Sequence, residues 1–513
     1  MKYQKEIVKG QYDVIIIGSG IAGLVSAANL VSEGLSVLVL EQHSIPGGAT
    51  TMFSRKGFTF EAGGHRVSGI RNPGGALYDL LEKIGKEVEL HPINPVYVVK
   101  SGEKILIADS DLEKYKQNVI DMFPHEKGNI DRYFAAMLEI VEGIKYVTGN
   151  NFVNPLVILA RHRLFAKYAK KSTREFMNEF FIDEEIIAFL TMLSAYTTLP
   201  LEEQSFVSYV NMWAVHHLGE GMSLIKGGTK TLVDALVDYV DTHGGQVVLS
   251  KLVDKILTEN KRVIGIKTSS GEEIKAEVVV STASNEQTYF QLLDESLSSK
   301  KFLQTILNQE QSGSLFQLFL GIKEENGEGL ENVTTFVMNE RNEAPHSKIY
   351  DWDLETITSN GVITVEGKEN SPDGYRSVNI SCLIPYHHPE NWFIKGRDKS
   401  EYCRFKDTIA EMIIENMSQY IPNLQERIII QNTATPLTIE RYTFATEGGL
   451  QGLAHNHKQS GKARGSIKTH IENLYQAGQY TFPGAGIVTV SISGTICAEM
   501  IVNEHFSHLI PRG

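Results

Sequence analysis

The amino-terminal stretch alternates between apolar blocks and glycine-rich turns. Asp13-Val14-Ile15-Ile16-Ile17 is a β-branched apolar run, the pattern of a buried parallel strand. Leu24 to Glu33 is apolar on most faces and stops at Gly34, which predicts a buried helix. Val37-Leu38-Val39-Leu40 predicts a second strand, with Glu41 at its carboxyl end. Leu77, Leu80, Leu81 and Ile84 then share one helical face, closed near Gly85. Val96 to Val99 and Lys104 to Ile107 flank Ser101-Gly102 as a hairpin would, and helical spacing runs from Asp111 to about Gly149. Leu232, Ala235, Leu236 and Val240 predict a helix over Thr229–Val240, ended by Gly244-Gly245. Four short strands follow at Val247–Leu249, Val253–Ile256, Val263–Ile266 and Val278–Val280. Near the end, Asn473 to Tyr480 predicts a buried strand and Val488 to Val502 a helix.

The glycines between these elements carry chemistry. Gly18-Ser19-Gly20-Ile21-Ala22-Gly23 joins the first strand to the first helix. Gly18 permits the tight turn, Gly20 lets the backbone approach a pyrophosphate, and Gly23 allows close helix–strand packing. The helix start offers unpaired N–H groups to phosphates. Glu41 is placed to accept from a ribose hydroxyl, which favours an unphosphorylated adenosine ribose. A purely structural glycine turn is the plainer account, but the strand before, the helix after and the acid beyond all suit a dinucleotide site.

A second glycine loop, Pro46-Gly47-Gly48-Ala49-Thr50, and then Phe58 to Gly63-Gly64-His65, suits a cofactor that continues past its pyrophosphate. Far along the chain, Thr481-Phe482-Pro483-Gly484-Ala485-Gly486-Ile487 makes another strand–glycine turn–helix. Its amide N–H groups are able to face an anionic or electron-rich ring edge. These stretches, with the Gly227-Gly228 return before Thr229, resemble the phytoene desaturase-like flavoproteins: carotenoid desaturases, carotenoid cis–trans isomerases and retinol saturases. Thr435 to Tyr442, with Gly448-Gly449 and Gly452, resembles the isomerase and saturase branch.

The resemblance implies an α/β fold: a Rossmann-like FAD-binding domain, with a parallel sheet plus β-meander, and an inserted α+β substrate domain. It implies a discontinuous FAD-binding domain over 1–95, 221–284 and 431–513, and a substrate domain over 96–220 and 285–430. FAD is the implied cofactor. Carried over residue by residue, its binding set is Gly18, Gly20, Ile21, Ala22, Gly23, Glu41, Gly47, Gly48, Ala49, Gly63, Gly64, His65, Val253, Gly478, Pro483, Gly484, Gly486 and Ile487. Val253 is expected to border the adenine through its backbone, and the 483–487 turn the flavin. In the saturase-like branch a histidine follows a similar glycine, which makes His65 the candidate catalytic residue, orienting substrate or supplying a proton. A satisfied loop histidine is the blander account of it. The run Met52-Phe53-Ser54-Arg55 departs from the family, whose loop is often more basic there.

Composition narrows the class. The chain has 513 residues, 42% hydrophobic and 22% charged, with a formal net charge of −13. That length predicts two or more domains, and the acidity argues against nucleic acid as a partner. Cys382, Cys403 and Cys497 have neither metal-ligand nor redox spacing and read as reduced thiols of a cytoplasmic protein. Met1 to Gln11 is polar, and the apolar runs are too short to span a bilayer, so no leader or transmembrane helix is expected. Residues 152–171 place Phe152, Val153, Leu156, Val157, Ile158 and Leu159 beside Arg161, His162, Arg163, Lys167, Lys170 and Lys171, with no acid among them. This is a candidate peripheral membrane contact, against the plainer account of a core helix with a solvated basic edge. Ile186, Ile187, Phe189, Leu190, Met192, Leu193, Tyr196, Phe206, Tyr209, Met212 and Trp213 either line a long apolar cavity or pack an ordinary core. His216 and His217 are weaker site candidates. Residues 285–430 read as mixed, with strands at Phe316–Leu320 and Val378–Leu383 and helices near Trp392, Phe405, Ile409, Ile413 and Ile414.

No H-E-x-x-H, G-x-S-x-G or C-x-x-C occurs, so no metal site or acyl-transfer triad is expected. A flavin needs none of them. Only one adenosine-type fingerprint is present, so no separate NAD(P)H domain is visible. The expected function is an FAD-dependent oxidoreductase acting on a carbon–carbon bond of a long apolar polyene, such as a carotenoid or retinoid, by desaturation, saturation or isomerisation. The alternatives are an amine or fatty-acid oxidoreductase of the same fold, or a non-catalytic lipid-binding relative. An acid or aromatic cage facing the flavin would favour an amine.

Overall fold

Val14 and Ile16 turn to one face of the strand Gln11–Ile17, and Ile15 and Ile17 turn to the other. Both sets are buried because helices cover one face and a meander with its short helix covers the other, the arrangement parallel strands require. The computed structural model describes residues 3–4, 6–71, 73–148, 154–325, 334–338, 353–387 and 398–509.

The first sheet runs in the order Val253–Glu259, Arg262–Thr268, Glu273–Ser281, Gln11–Ile17, Val37–Leu40, Gln246–Val248. Leu474–Gln476 pairs with the carboxyl end of Glu273–Ser281. The pairings around Gln11–Ile17 are parallel, and the first three strands of the list form an antiparallel meander. The expected parallel sheet plus meander is therefore present. Helices Ile21–Ser32, Thr229–Thr242 and Ile487–His505 share one hydrophobic cluster on its helical face.

The second sheet runs Ile428–Ala434, Ser314–Lys323, Tyr375–Ile384, Gly361–Val365, Thr334–Met338, Tyr97–Ser101, Lys104–Ala108. It is antiparallel except where Thr334–Met338 meets Tyr97–Ser101. Helix Lys399–Met417 packs on one face through Ile409, Ile413 and Met417. The other face is turned towards the first sheet. Ile428–Ala434, which a boundary at 430/431 would cut, lies wholly in this sheet.

Several elements differ from the sequence reading. The helical stretch from Asp111 is two helices, Leu112–Met122 and Lys127–Thr148, because Pro124 has no N–H to continue the first. The strand expected over 473–480 is only Leu474–Gln476. Gly478 turns to φ +109°, and its N–H goes to Ser493 Oγ at 3.0 Å. The aromatic stretch Phe180–Trp213 packs mainly as core: Ile186, Ile187, Phe189, Leu190, Met192, Leu193, Phe206, Tyr209 and Trp213 are buried in one cluster with the helices beside it. Cys382 and Cys497 are buried free thiols and Cys403 is a half-buried one. Among the described residues no group of His, Cys, Asp and Glu side chains is arranged to hold a metal. Asn72, Gly149, Phe152, Val153, Trp392 and residues 510–513 lie outside the described residues.

Candidate active site

A cavity of about 750 Å³ opens between the two sheets. Its first wall is the glycine fingerprint. Gly18 donates its N–H to Leu40 O at 2.8 Å and turns at φ +101°, a conformation that favours glycine. Gly20 and Gly47 pair as an isolated parallel bridge, and Gly47 N–H reaches Ser19 O at 3.0 Å. A Cβ on Gly48 would stand 3.2 Å from Gly20 Cα, so the two glycine loops lie directly against each other. The helix starting at Ile21 has no side-chain cap at Gly20 and no acid in its first turn. The helix starting at Ile487, beyond Gly486, is bare in the same way. Both helix starts border the cavity and present positive dipole ends to it. By contrast, Thr229 at the third helix start is held by Glu61, whose Oε1 accepts its N–H at 2.8 Å.

The two ends of the chain meet here. Ser26 Oγ donates to Gly494 O at 3.0 Å, tying the first helix to the last. A Cβ on Gly494 would come within 2.6 Å of Ala22 O, and one on Gly478 within 3.5 Å of Ala22 Cβ. Glu41 is buried; its Oε2 accepts Ser19 N–H at 2.9 Å and Ser19 Oγ–H at 2.8 Å, and its Oε1 accepts His43 N–H at 2.8 Å. These bonds fix the carboxylate beside the first glycine turn.

Of the sequence candidates, Gly18, Gly20, Ile21, Ala22, Glu41, Gly47, Gly48, Ala49, Gly63, Gly64, His65, Val253, Gly478, Pro483, Gly486 and Ile487 line the cavity. Gly23 and Gly484 do not. Gly23 stands behind the wall, where a Cβ would meet Gly18 O at 2.2 Å, and Gly484 packs against His455 and Arg464. Both serve close packing that shapes the wall.

His65 Nδ1 lies 3.1 Å from Gly63 O. A carbonyl can only accept, so Nδ1 carries the proton and Nε2 is left as an acceptor, with no partner of its own. Burial, reinforced by the Arg66 cation, holds the imidazole down to about 4, so it is neutral at ordinary pH. Two buried acids, Glu61 and Glu366, lie close together where the sheets meet. Burial pushes Glu61 up to about 7, and burial together with Glu61 pushes Glu366 up to about 8. Asn379 Nδ2 donates to Glu61 O at 3.1 Å and to Glu366 Oε1 at 2.8 Å.

Tyr196, Met212 and His216 line the cavity, whereas His217 does not. His217 stacks on Tyr115 with 4.6 Å between rings and lies 3.2 Å from Tyr97 Oη, a core histidine. The sequence reading missed His455 and Tyr480, which line the cavity from the carboxy-terminal side. His455 Nε2 has no hydrogen-bond partner among the described residues, and burial beside Arg464 drives His455 well below the usual histidine range. Arg464 donates to Gln479 O, Gln451 O and Leu453 O at 2.6–2.8 Å, which fixes this wall. No local pattern around Leu453-Ala454-His455-Asn456 marks it.

Two glycine loops in contact, two uncapped helix starts and a fixed acid fit a dinucleotide cofactor. Comparison with known proteins agrees. The chain is 25% identical to a chloroplastic prolycopene isomerase of Daucus carota, over 96% of this chain and 80% of the relative. It is 26% identical to an all-trans-retinol 13,14-reductase of Danio rerio, over 96% of this chain and 86% of that one. A crystal structure of an oxidoreductase from Methanosarcina mazei superposes with a TM-score of 0.66 at 18% identity, covering 95% of this chain and 99% of that chain, and shows the same fold. The model of the flavin containing amine oxidoreductases matches residues 21–502, and the chain belongs to that family.

Proposed function

We propose that this protein binds FAD and uses it to saturate, desaturate or isomerise carbon–carbon double bonds of a long apolar polyene. The observation that carries the reading is one continuous cavity, walled at one end by the two glycine loops and the bare helix starts and floored at the other by the second sheet. The segments 1–95, 221–284 and 435–513 would hold the cofactor, and 96–220 and 285–434 the substrate, the second boundary moved so that the strand Ile428–Ala434 stays whole. FAD, when bound, supplies hydride exchange at its ring. Glu41 would orient the adenosine ribose, and the Ile21 and Ile487 helix starts would face the pyrophosphate and the ring edge. His65, neutral and with a free acceptor at Nε2, would hold or receive a proton at that atom. Tyr196, Met212, Phe336 and Leu383 would shield the polyene from water. The relatives named above act, by their names, on prolycopene and on all-trans-retinol, which supports a polyene over an amine. The two buried acids also argue against an amine, since each is already engaged, Glu61 by Thr229 and Glu366 by Asn379.

The exposed face over 154–171 supports a peripheral contact with an anionic membrane. Leu156 and Leu159 are 73% and 61% exposed. Lys167 and Lys171 are paired with Glu179 and Glu175. Arg161, Arg163 and Lys170 add positive charge beside the two leucines.

The test is reconstitution with FAD, then incubation with all-trans-retinol and a cis-carotene, with and without reduced flavin, followed by product identification. A yellow protein that converts a polyene is expected. His65→Ala should lower turnover by about a hundredfold or more while leaving the flavin spectrum intact. A protein that stays colourless, or one that oxidises amines and leaves polyenes unchanged, would overturn the reading.

A further inference from the structure

Arg464 is 0% exposed, and among the described residues no carboxylate is paired with it. Its Nε and Nη2 donate to the neutral carbonyls of Gln479, Gln451 and Leu453. Its Nη1 is buried and donates to nothing among the described residues. Burial lowers the guanidinium only to about 10, so it keeps its charge at neutral pH. A cation taken out of water is costly unless an opposite charge or a full set of acceptors meets it. The carbonyls meet part of that need and leave the charge itself uncompensated. Holding carbonyls requires donors rather than a charge, so these bonds alone do not account for an arginine here.

The charge lies directly behind one wall of the cavity. A Cβ on Gly484 would stand 3.5 Å from Arg464 Cδ and Nε. Gly465 O accepts Phe482 N–H at 3.1 Å, so the residue after Arg464 is bound to the same turn. Gln479, Pro483 and Gly486 of this wall line the cavity, and the helix start at Ile487 adds its positive dipole end. His455, on the same wall, is neutral at ordinary pH. The acids that line the cavity are Glu41 and Glu61. Glu41 is fixed beside the first glycine turn and Glu61 is bonded to Thr229, so neither belongs to this wall. On a chain of net charge −13, the described part of this wall carries a cation and no acid.

Resting on the FAD reading above, we propose that the buried charge of Arg464 favours the reduced flavin over the oxidised one. Oxidised FAD has a neutral ring. Uptake of two electrons and one proton leaves that ring with one negative charge, and a fixed cation behind the wall stabilises the anion more than the neutral ring. Reduced FAD is then held more tightly than oxidised FAD, and its potential rises by the same factor. The pyrophosphate is charged in both states, so a cation serving it alone would tighten both equally and leave the potential where it was.

The experiment uses the FAD-loaded protein with its Arg464→Gln and Arg464→Lys variants. Each is reduced anaerobically by dithionite against a reference dye, and Tm and the affinity for oxidised FAD are measured alongside. Arg464→Gln should weaken reduced FAD relative to oxidised FAD by about tenfold, a fall of ~30 mV in the two-electron potential. Arg464→Lys keeps the charge without the forked bonds and should stay within about threefold of the unsubstituted protein. An unchanged potential in Arg464→Gln would overturn the inference, as would equal falls in both variants, which a tie between carbonyls would give. A variant that melts normally but no longer retains oxidised FAD would overturn it too, since the charge would then serve the cofactor in both states. If Arg464→Gln does not fold, Arg464→Met supplies the neutral arm with the same expected fall. All of these outcomes leave FAD binding by the unsubstituted protein standing; failure of that protein to take up FAD would overturn the FAD reading itself.

Discussion

Glu366 and Glu61 sit where the two sheets approach each other, and their ionisation is tied to folding. Each holds its proton to higher pH than the ordinary carboxyl value of 4.5, Glu61 to about 7 and Glu366 to about 8, chiefly because burial disfavours the anion. Between those values the folded chain binds more protons than the unfolded one. Their contribution to stability is therefore complete below about 4.5 and is lost as pH rises towards about 8. Glu366→Gln, which cannot ionise, should flatten the fall in Tm between about pH 5 and about pH 8. A Tm profile as steep as that of the unsubstituted chain would contradict this assignment. Neither acid was legible beforehand. Glu61 precedes the Gly63-Gly64-His65 turn, but its partner Thr229 is supplied from a distant segment. His65 was legible, since it follows the glycine pair directly. His455 was not, because only the Arg464 wall brings it to the cavity.

Pairs of elements carry the next level of the argument. The first and last helices were both predicted from apolar spacing, and each was expected behind a glycine turn. What spacing does not encode is their contact. Ser26 Oγ and Ala22 O meet Gly494 in the middle of the last helix, where a side chain would not fit. Gly494→Ala should push the helices apart, destabilise the protein by about 1–3 kcal/mol, and weaken flavin retention together with Tm. Retention of flavin with an unchanged melt would show that the helices do not need this contact. The second sheet was harder to read, because its strands come from segments separated by helices and polar loops. Their alternation was visible at Phe316–Leu320 and Val378–Leu383, whereas their order was not.

Over the whole molecule, the exposed leucines of 154–171 lie on a chain of net charge −13, so local positive charge there works against the overall field. Leu156→Glu with Leu159→Glu should abolish sedimentation with anionic liposomes while leaving the flavin spectrum and Tm unchanged, since both side chains are solvated. Undiminished sedimentation of that double variant would dismiss the membrane contact. Among the described residues one helix, Ile487–His505, is long and apolar enough to cross a bilayer. It packs along the fingerprint helix instead, as a core element.

The sequence by itself determined the first strand–glycine turn–helix–strand unit of this protein, because strand, glycine turn, helix, strand and acid are consecutive and the physics of such a turn is local. It determined the flavin family for the same reason, because both glycine turns are short contiguous patterns. Only the tertiary structure decided which residues floor the cavity, which acids are buried together and which histidines line it. Those properties arise from pairing between strands distant in the chain and from the loss of water on packing, and neither is written in any single stretch of residues.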